Sequence, residues 1–97
     1  MNMGEIIERI KYHEKEIKNN FKVKEIGIFG SYVRGGQTLQ SDVDILVDIE
    51  IEGKTFDNYM NLKYYLENLL NLKVDLIMKG AIKERLRPYI LEEVVYV

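Results

Sequence analysis

The sequence has 97 residues, of which 46% are hydrophobic and 31% are charged, and its formal net charge is −2. This composition excludes a disordered or fibrous protein, and the length predicts one globular domain over residues 1–97. The absence of cysteine excludes disulfides, thiolate metal sites and cysteine nucleophiles.

The charge balance and hydropathy also bear on partners and location. A protein that coats nucleic acid needs a surplus of lysine and arginine, so direct nucleic-acid binding is not expected. No apolar stretch approaches the roughly 20 residues that cross a bilayer, and the N-terminus carries acidic residues where a signal peptide would be basic. We therefore expect no membrane association and a cytoplasmic location.

The first elements follow from the periodicity of the apolar residues. Residues 3–20 carry apolar side chains at spacings near 3.6, which predicts one amphipathic helix that ends at an asparagine pair. The run 23–30 is rich in Val, Ile and Phe and stops at a glycine, which predicts a strand entering a turn. One helical turn is expected over residues 31–34, before the pair Gly35-Gly36 breaks it.

The next strand is predicted by alternation over residues 42–51. Because successive side chains of a strand point to opposite faces, two sets of residues separate here. One face carries Val43, Ile45, Val47, Ile49 and Ile51, and the other carries Asp42, Asp44, Leu46, Asp48 and Glu50. Asp42 and Asp44 therefore share a face. Asp48 and Glu50 lie at the far end of that face and are interpreted as solvated charges.

The second half of the chain predicts two helices and another strand. Thr55 is a suitable N-cap for a helix that runs to about residue 71. A third strand is predicted over residues 72–80, and the tail from Ala81 is predicted to be helical, with Pro88 in the first turn of its last helix. The third strand holds an aspartate in an apolar run, where burial without a partner would be costly.

This order of elements predicts the fold class. Helices that alternate with strands favour an α/β arrangement in which helices cover a small sheet. The helix at 55–71 is long enough for a parallel crossover between the second and third strands. The first two strands, joined by about a dozen residues, are compatible with antiparallel pairing.

The segment Gly30-Ser31 at the end of the first strand is a candidate phosphate-binding site. Backbone N–H groups at the start of a helical turn, together with a hydroxyl, are suited to bind an anion. A Gly-Ser pair alone is far more often a simple turn. The phosphate-binding interpretation depends on the aspartates that follow in the sequence. Ten residues separate Ser31 from the first of them, Asp42.

Three aspartates are candidate metal ligands. Asp42 and Asp44 are two residues apart on one strand face, so their carboxylates repel each other unless a cation lies between them. Magnesium prefers such oxygen ligands and is commonly held by one or two carboxylates plus substrate phosphates. Asp75 on a neighbouring strand would complete the site. Two ions there would activate the α-phosphate and the attacking hydroxyl, with Asp75 a candidate acceptor of the hydroxyl proton.

The pattern G-S-x10-D-x-D, followed by a lone strand aspartate, resembles the DNA polymerase β-like nucleotidyltransferase superfamily. The short chain is similar to the minimal nucleotidyltransferase (MNT) branch of that superfamily. The resemblance implies a nucleotidyltransferase fold, an α/β fold with a small mixed sheet of three or four strands covered by helices. By position, it implies that Gly30 and Ser31 contact the nucleotide, that Arg34 faces the phosphates or the partner, and that Asp42, Asp44 and Asp75 bind two Mg²⁺ ions and carry the catalysis.

The resemblance also implies a partner. Members of the MNT branch are typically encoded beside a HEPN-domain protein, which implies an RNA-cleaving toxin as the partner and an antitoxin that transfers AMP from ATP to a toxin tyrosine. Two alternatives stay open: an antitoxin that silences the toxin by binding alone, and a subunit of a small-molecule nucleotidyltransferase. Homo- and hetero-oligomers are both compatible with the sequence.

Two further features are noted without an assigned role. The seven tyrosines are interpreted as mostly core or partly buried residues at helical spacing, although Tyr32 lies beside the candidate phosphate site, where its ring would be placed to stack on a base. A basic cluster formed by Lys79, Lys83, Arg85 and Arg87 is as compatible with a solvated helix face as with a binding surface.

Overall fold

The computed structural model describes residues 1–97. It contains five α-helices and four strands, with short 3-10 turns between some of them. In chain order these are α1 (Met3–Tyr12), α2 (Glu14–Phe21), β1 (Val23–Phe29), α3 (Ser31–Arg34), β2 (Val43–Ile49), α4 (Phe56–Leu70), β3 (Val74–Met78), α5 (Arg87–Glu93) and β4 (Val95–Tyr96). None of the helices combines the length and the apolar character that crossing a membrane requires.

The helix predicted over residues 3–20 is in fact two helices, because the backbone bends at His13. The His13 N–H donates to the carbonyl of Ile10 at 3.1 Å, and its ring nitrogen Nδ1 lies 3.0 Å from the carbonyl oxygen of Arg9. The first contact is an i→i−3 bond in place of the regular i→i−4 bond, and the ring occupies the Arg9 carbonyl that the His13 N–H would otherwise bind. The second helix continues past the asparagine pair and ends where Lys22 adopts the left-handed conformation, with φ of 58°.

The four strands form one mixed sheet in the order β3-β2-β1-β4. β1 and β2 are antiparallel, and β2 and β3 are parallel with α4 as the crossover between them. Thr55 caps α4 as predicted, since its hydroxyl accepts the N–H of Asn58 at 3.1 Å. The mixed sheet confirms the predicted fold class. The two-residue strand β4, antiparallel to β1, was not predicted.

One face of the sheet, here called the core face, lies under α1, α2 and α4. Its odd-numbered β2 residues pack with apolar side chains of the helices in a continuous buried cluster. Fully buried members of this cluster include Ile6, Ile10, Ile17, Ile28, Ile45, Val47, Leu62, Leu66 and Leu70. Burial of these side chains supplies most of the apolar stabilisation of the fold.

The opposite face, here called the site face, is partly covered by the segment between β3 and β4, residues 79–94. Leu46 lies on this face and pairs with Gly27, and a β-carbon added at Gly27 would lie 2.7 Å from a methyl carbon of Val94. The C-terminal segment therefore approaches the sheet closely, which explains why Leu46 is buried although it alternates with aspartates. The glycine leaves the space that this approach needs.

Several boundaries differ from the sequence prediction. β3, predicted over residues 72–80, spans only Val74–Met78. β2 ends at Ile49, and Ile51, predicted on the inward face of the strand, lies in a 3-10 turn with 79% of its surface exposed. The tail from Ala81 begins with 3-10 turns, and its α-helix starts only at Arg87, with Pro88 in the first turn as predicted. Short turns with so few residues carry no periodicity from which to predict them.

Candidate active site

Two of the three candidate aspartates lie side by side on the site face. Asp44 of β2 and Asp75 of β3 are register partners in the parallel pair, so their side chains project from the same face of adjacent strands. Asp75 is exposed on the edge strand, and Asp44 is partly buried one strand further in. The predicted meeting of these two carboxylates on neighbouring strands is therefore present in the structure.

The turn after β1 contacts the same carboxylate. Phe29 pairs with Asp44, and the next residue, Gly30, has φ of 80° and ψ of −151°. A β-carbon at Gly30 would overlap Oδ2 of Asp44, so only a glycine leaves room for the carboxylate here. The structure thus brings Gly30 and Asp44 together, as the motif G-S-x10-D-x-D implied.

Asp42 is the outermost of the three aspartates. It lies just before β2 and is exposed, yet it is close enough for its charge to act on Asp44. The three carboxylates do not form a preassembled group of three metal ligands in this structure. An open cleft of about 470 Å³ borders Asp42 and is lined by Leu39, Gln40, Ser41, Asn71, Leu72 and Lys73.

The electrostatic consequence is concentrated on Asp44. Partial burial, the charge of Asp75 and a hydrogen bond with it, and the charge of Asp42 raise the pKa of Asp44 to about 6 from an ordinary value of 3.8. The guanidinium of Arg34 acts in the opposite direction. A group of carboxylates with this much uncompensated negative charge is the donor set that a hard divalent cation prefers.

The backbone after β1 forms a short loop in which only some of the N–H groups are hydrogen-bonded. The N–H groups of Val33 and Arg34 donate to the carbonyl of Gly30 at 3.0 and 3.1 Å, which closes the single turn of α3. The N–H groups of the two preceding residues, Ser31 and Tyr32, have no such partner within the turn. Residues 30–34, here called the anion loop, therefore direct donors beside the carboxylate pair.

A fourth carboxylate, Glu93 at the end of α5, binds this loop. Its Oε1 accepts the Gly30 N–H at 2.5 Å, and both of its oxygens lie within 2.9 Å of Nη1 of Arg34. Arg34, predicted to face the phosphates or the partner, is thus held by α5 in this structure. Sequence reasoning missed Glu93, because the strand that places it opposite the loop has only two residues.

The remaining candidates are placed as follows. Tyr32 is only 5% exposed and belongs to the core cluster, so the prediction that its ring stacks on a base is wrong. In the basic cluster, Lys79 lies 3.6 Å from Glu25 and Arg87 donates to the carbonyl of Lys79. The cluster occupies turns rather than one helix face, because the helix starts only at its last member.

The sequence and the fold can be compared with those of known proteins. The model of the nucleotidyltransferase domain family matches residues 10–97. The chain belongs to this family. The predicted resemblance is therefore confirmed, and so is the enzyme class, a nucleotidyltransferase.

Similar proteins extend over nearly the whole chain. The protein adenylyltransferase MntA of Thermococcus cleftensis is 47% identical over 97 residues, which cover 100% of this chain and 97% of the relative. A solved structure of a candidate minimal nucleotidyltransferase has 30% identity and a TM-score of 0.82, covering 98% of this chain and 95% of its own.

A third similarity concerns a complex. The MNT antitoxin in complex with a tri-AMPylated HEPN toxin from Shewanella oneidensis aligns with a TM-score of 0.67 and 21% identity. The alignment covers 94% of this chain and 70% of that one. At this identity the likeness shows a shared fold only.

Proposed function

We propose that this protein is an adenylyltransferase antitoxin that transfers AMP from ATP, with Mg²⁺, to a tyrosine of a HEPN-domain toxin. The observation that carries the proposal is the register pairing of Asp44 with Asp75 directly beside Gly30. The name of the Thermococcus relative supports protein adenylylation. A HEPN toxin is the acceptor that the resemblance to the MNT branch implies, and such a toxin is the partner of the Shewanella MNT antitoxin in its own complex. The use of ATP would place this activity in the cytoplasm.

The carboxylates fit a pair of Mg²⁺ ions by their chemistry. Asp42, Asp44 and Asp75 provide only oxygen donors, and the raised pKa of Asp44 reflects its partial burial together with the negative charge of its neighbours, which a cation would neutralise. Bound there, magnesium would offset the charge of the triphosphate and make the acceptor hydroxyl more acidic. Since the three side chains are not preassembled, the triphosphate oxygens would complete the coordination.

The protein's own groups then have separate roles. The free amides of the anion loop and the Ser31 hydroxyl would bind phosphate oxygens and align the α-phosphate. The tyrosine oxygen forms a bond to the α-phosphorus while the bond to the bridging oxygen breaks and pyrophosphate leaves. Asp75, the exposed member of the Asp44–Asp75 pair, would accept the proton of the hydroxyl. The cleft beside Asp42 offers space for the rest of the substrates.

The test is a mass measurement on the partner. If the gene next to this one encodes a HEPN protein, that protein should gain AMP-sized mass increments on a tyrosine when it is incubated with this protein, ATP and Mg²⁺. Asp42→Asn and Asp44→Asn should abolish the increments. Asp48→Asn is the matched control, since Asp48 lies further along the same strand and contacts Lys24 at 3.8 Å instead.

The outcomes separate the alternatives. Persistent labelling by the Asp44→Asn variant would reject the metal assignment. Absence of labelling by the unmodified protein, with a stable complex and protection by all variants, would instead support an antitoxin that acts by binding alone. Transfer of AMP to a small hydroxyl compound but not to the HEPN protein would support the third alternative.

A further inference from the structure

The Glu93 carboxylate continues the pairing of β1 with β4 beyond the end of the strand. Gly27 pairs with Tyr96 and Ile28 with Val95, so the same antiparallel register carried two residues further places Gly30 opposite Glu93. The backbone of Glu93 is already helical at this point. Its side chain therefore supplies the acceptor that a strand carbonyl would otherwise present to the Gly30 N–H, at 2.5 Å.

The same carboxylate orients Arg34. One of its oxygens is shared between the Gly30 amide and Nη1 of Arg34, at 2.8 Å from the latter. The Glu93 side chain is 24% exposed, while that of Arg34 is 63% exposed. A largely enclosed carboxylate that joins the first and last residues of the anion loop restricts both, and charge-assisted hydrogen bonds are stronger than neutral ones.

We infer that Glu93 is a positioning residue, which holds the anion loop in the conformation that binds the triphosphate. It lies on the β4 side of Gly30, whereas Asp44 lies on the β2 side, so the loop is fixed between two carboxylates from opposite directions. The inference rests on the proposed function for the identity of the ligand. It assigns a role in nucleotide binding to a helix outside the motif.

The opposite role of Glu93, in which its carboxylate weakens nucleotide binding, also has a defined physical cause. A carboxylate beside anion-binding donors competes with phosphate if it occupies the positions of the phosphate oxygens. In that case removing Glu93 would tighten nucleotide binding. The position of Glu93 in the strand register favours the supporting role, because the Gly30 N–H faces β4 and not the carboxylate pair.

The experiment compares Glu93→Ala and Glu93→Gln with Glu92→Ala, an exposed neighbour on the same helix. The dissociation constant of AMP-PNP with Mg²⁺ is measured by calorimetry, and the Gly30 amide is followed by NMR. Glu93→Ala should weaken binding about tenfold, the effect of losing one charge-assisted contact. Glu93→Gln should recover part of this loss, since its amide oxygen still accepts the Gly30 N–H. Glu92→Ala should match the unmodified protein.

The Gly30 amide proton should move upfield in Glu93→Ala and less in Glu93→Gln, with the thermal midpoint of folding confirming that both variants are folded. Tighter nucleotide binding by either variant, or binding equal to that of Glu92→Ala, would overturn the inference. If the unmodified protein binds no AMP-PNP, the proposed function fails. If it binds and Glu93→Ala binds equally well, only the role of Glu93 fails.

Discussion

The two faces of the sheet use the same strands in opposite ways. On the core face, Ile45 of β2 pairs with Leu76 of β3, and both are buried among apolar side chains. One residue earlier in each strand, Asp44 pairs with Asp75 on the site face, and two like charges are held together. Apolar burial on one face thus stabilises an arrangement that is unfavourable on the other.

The largest stability effect should come from the core face. Leu66 of α4 is fully buried, so Leu66→Ala removes apolar contacts and leaves a cavity. We expect the free energy of unfolding to fall by about 3 kcal/mol, measured by urea denaturation. Leu39→Ala is the control, because Leu39 is 98% exposed and should change little. A loss below that of the control variant would contradict the assignment of this core.

A smaller effect is expected where the C-terminal segment meets the site face. The β-carbon of Gly27→Ala would lie 2.7 Å from Val94 and 3.0 Å from the carbonyl oxygen of Val95. Displacing this segment should cost about 2 kcal/mol of folding free energy. Gly80→Ala, with no atom within 4 Å of the new carbon, is the matched control. Equal unfolding curves for the two variants would show that the segment does not pack as described.

Removing a charge from the site face should stabilise the protein, whereas the two substitutions above should destabilise it. Because the pKa of Asp44 is raised from 3.8 to about 6, the folded state binds more protons than the unfolded state between these values. The contribution of Asp44 to the free energy of unfolding therefore falls as the pH rises from 4 to above 6. Asp44→Asn should stabilise the metal-free protein by about 1 kcal/mol above pH 6.5, after allowance for solvent screening. The difference should vanish near pH 4.

Thermal unfolding at several pH values checks this sign. An Asp44→Asn variant less stable than the unmodified protein at neutral pH would show that the carboxylate makes favourable contacts in the metal-free state. Asp48→Asn serves again as the control on the same strand.

The smallest effect is stabilisation by metal alone. Mg²⁺ that binds the folded carboxylates should raise the thermal midpoint at pH 7.5, by the equivalent of about 0.4 kcal/mol when its concentration equals the dissociation constant. Asp44→Asn should lose this increment and Asp48→Asn should keep it. An equal response of both variants would indicate ion binding away from Asp44.

The contrast between the faces was largely predictable from sequence. Strict alternation in β2 assigned Ile45 and Asp44 to opposite faces, and the crossover length of α4 predicted the parallel pairing that brings Asp75 alongside. What the sequence did not predict depends on short elements. Two residues of β4 show no period, so the placement of Glu93 opposite Gly30 had no local signal.

Other errors have equally local causes. Alternation alone extended β2 to Ile51, because periodicity does not reveal that the chain turns at Glu50. Tyr32 was predicted beside a ligand, but a single turn of helix directs its ring into the core. In both cases tertiary packing decided an outcome that neighbouring residues left open.

The absence of a side chain at Gly30 couples the two halves of the site, the anion loop and the aspartates. Because Oδ2 of Asp44 occupies the space where a β-carbon would stand, the backbone that binds the anion and the acid that attracts the cation share one volume. Neither can be altered alone: a larger residue in the loop pushes the carboxylate out of place, and a shifted carboxylate frees the loop. Selection on either half therefore acts on both at once.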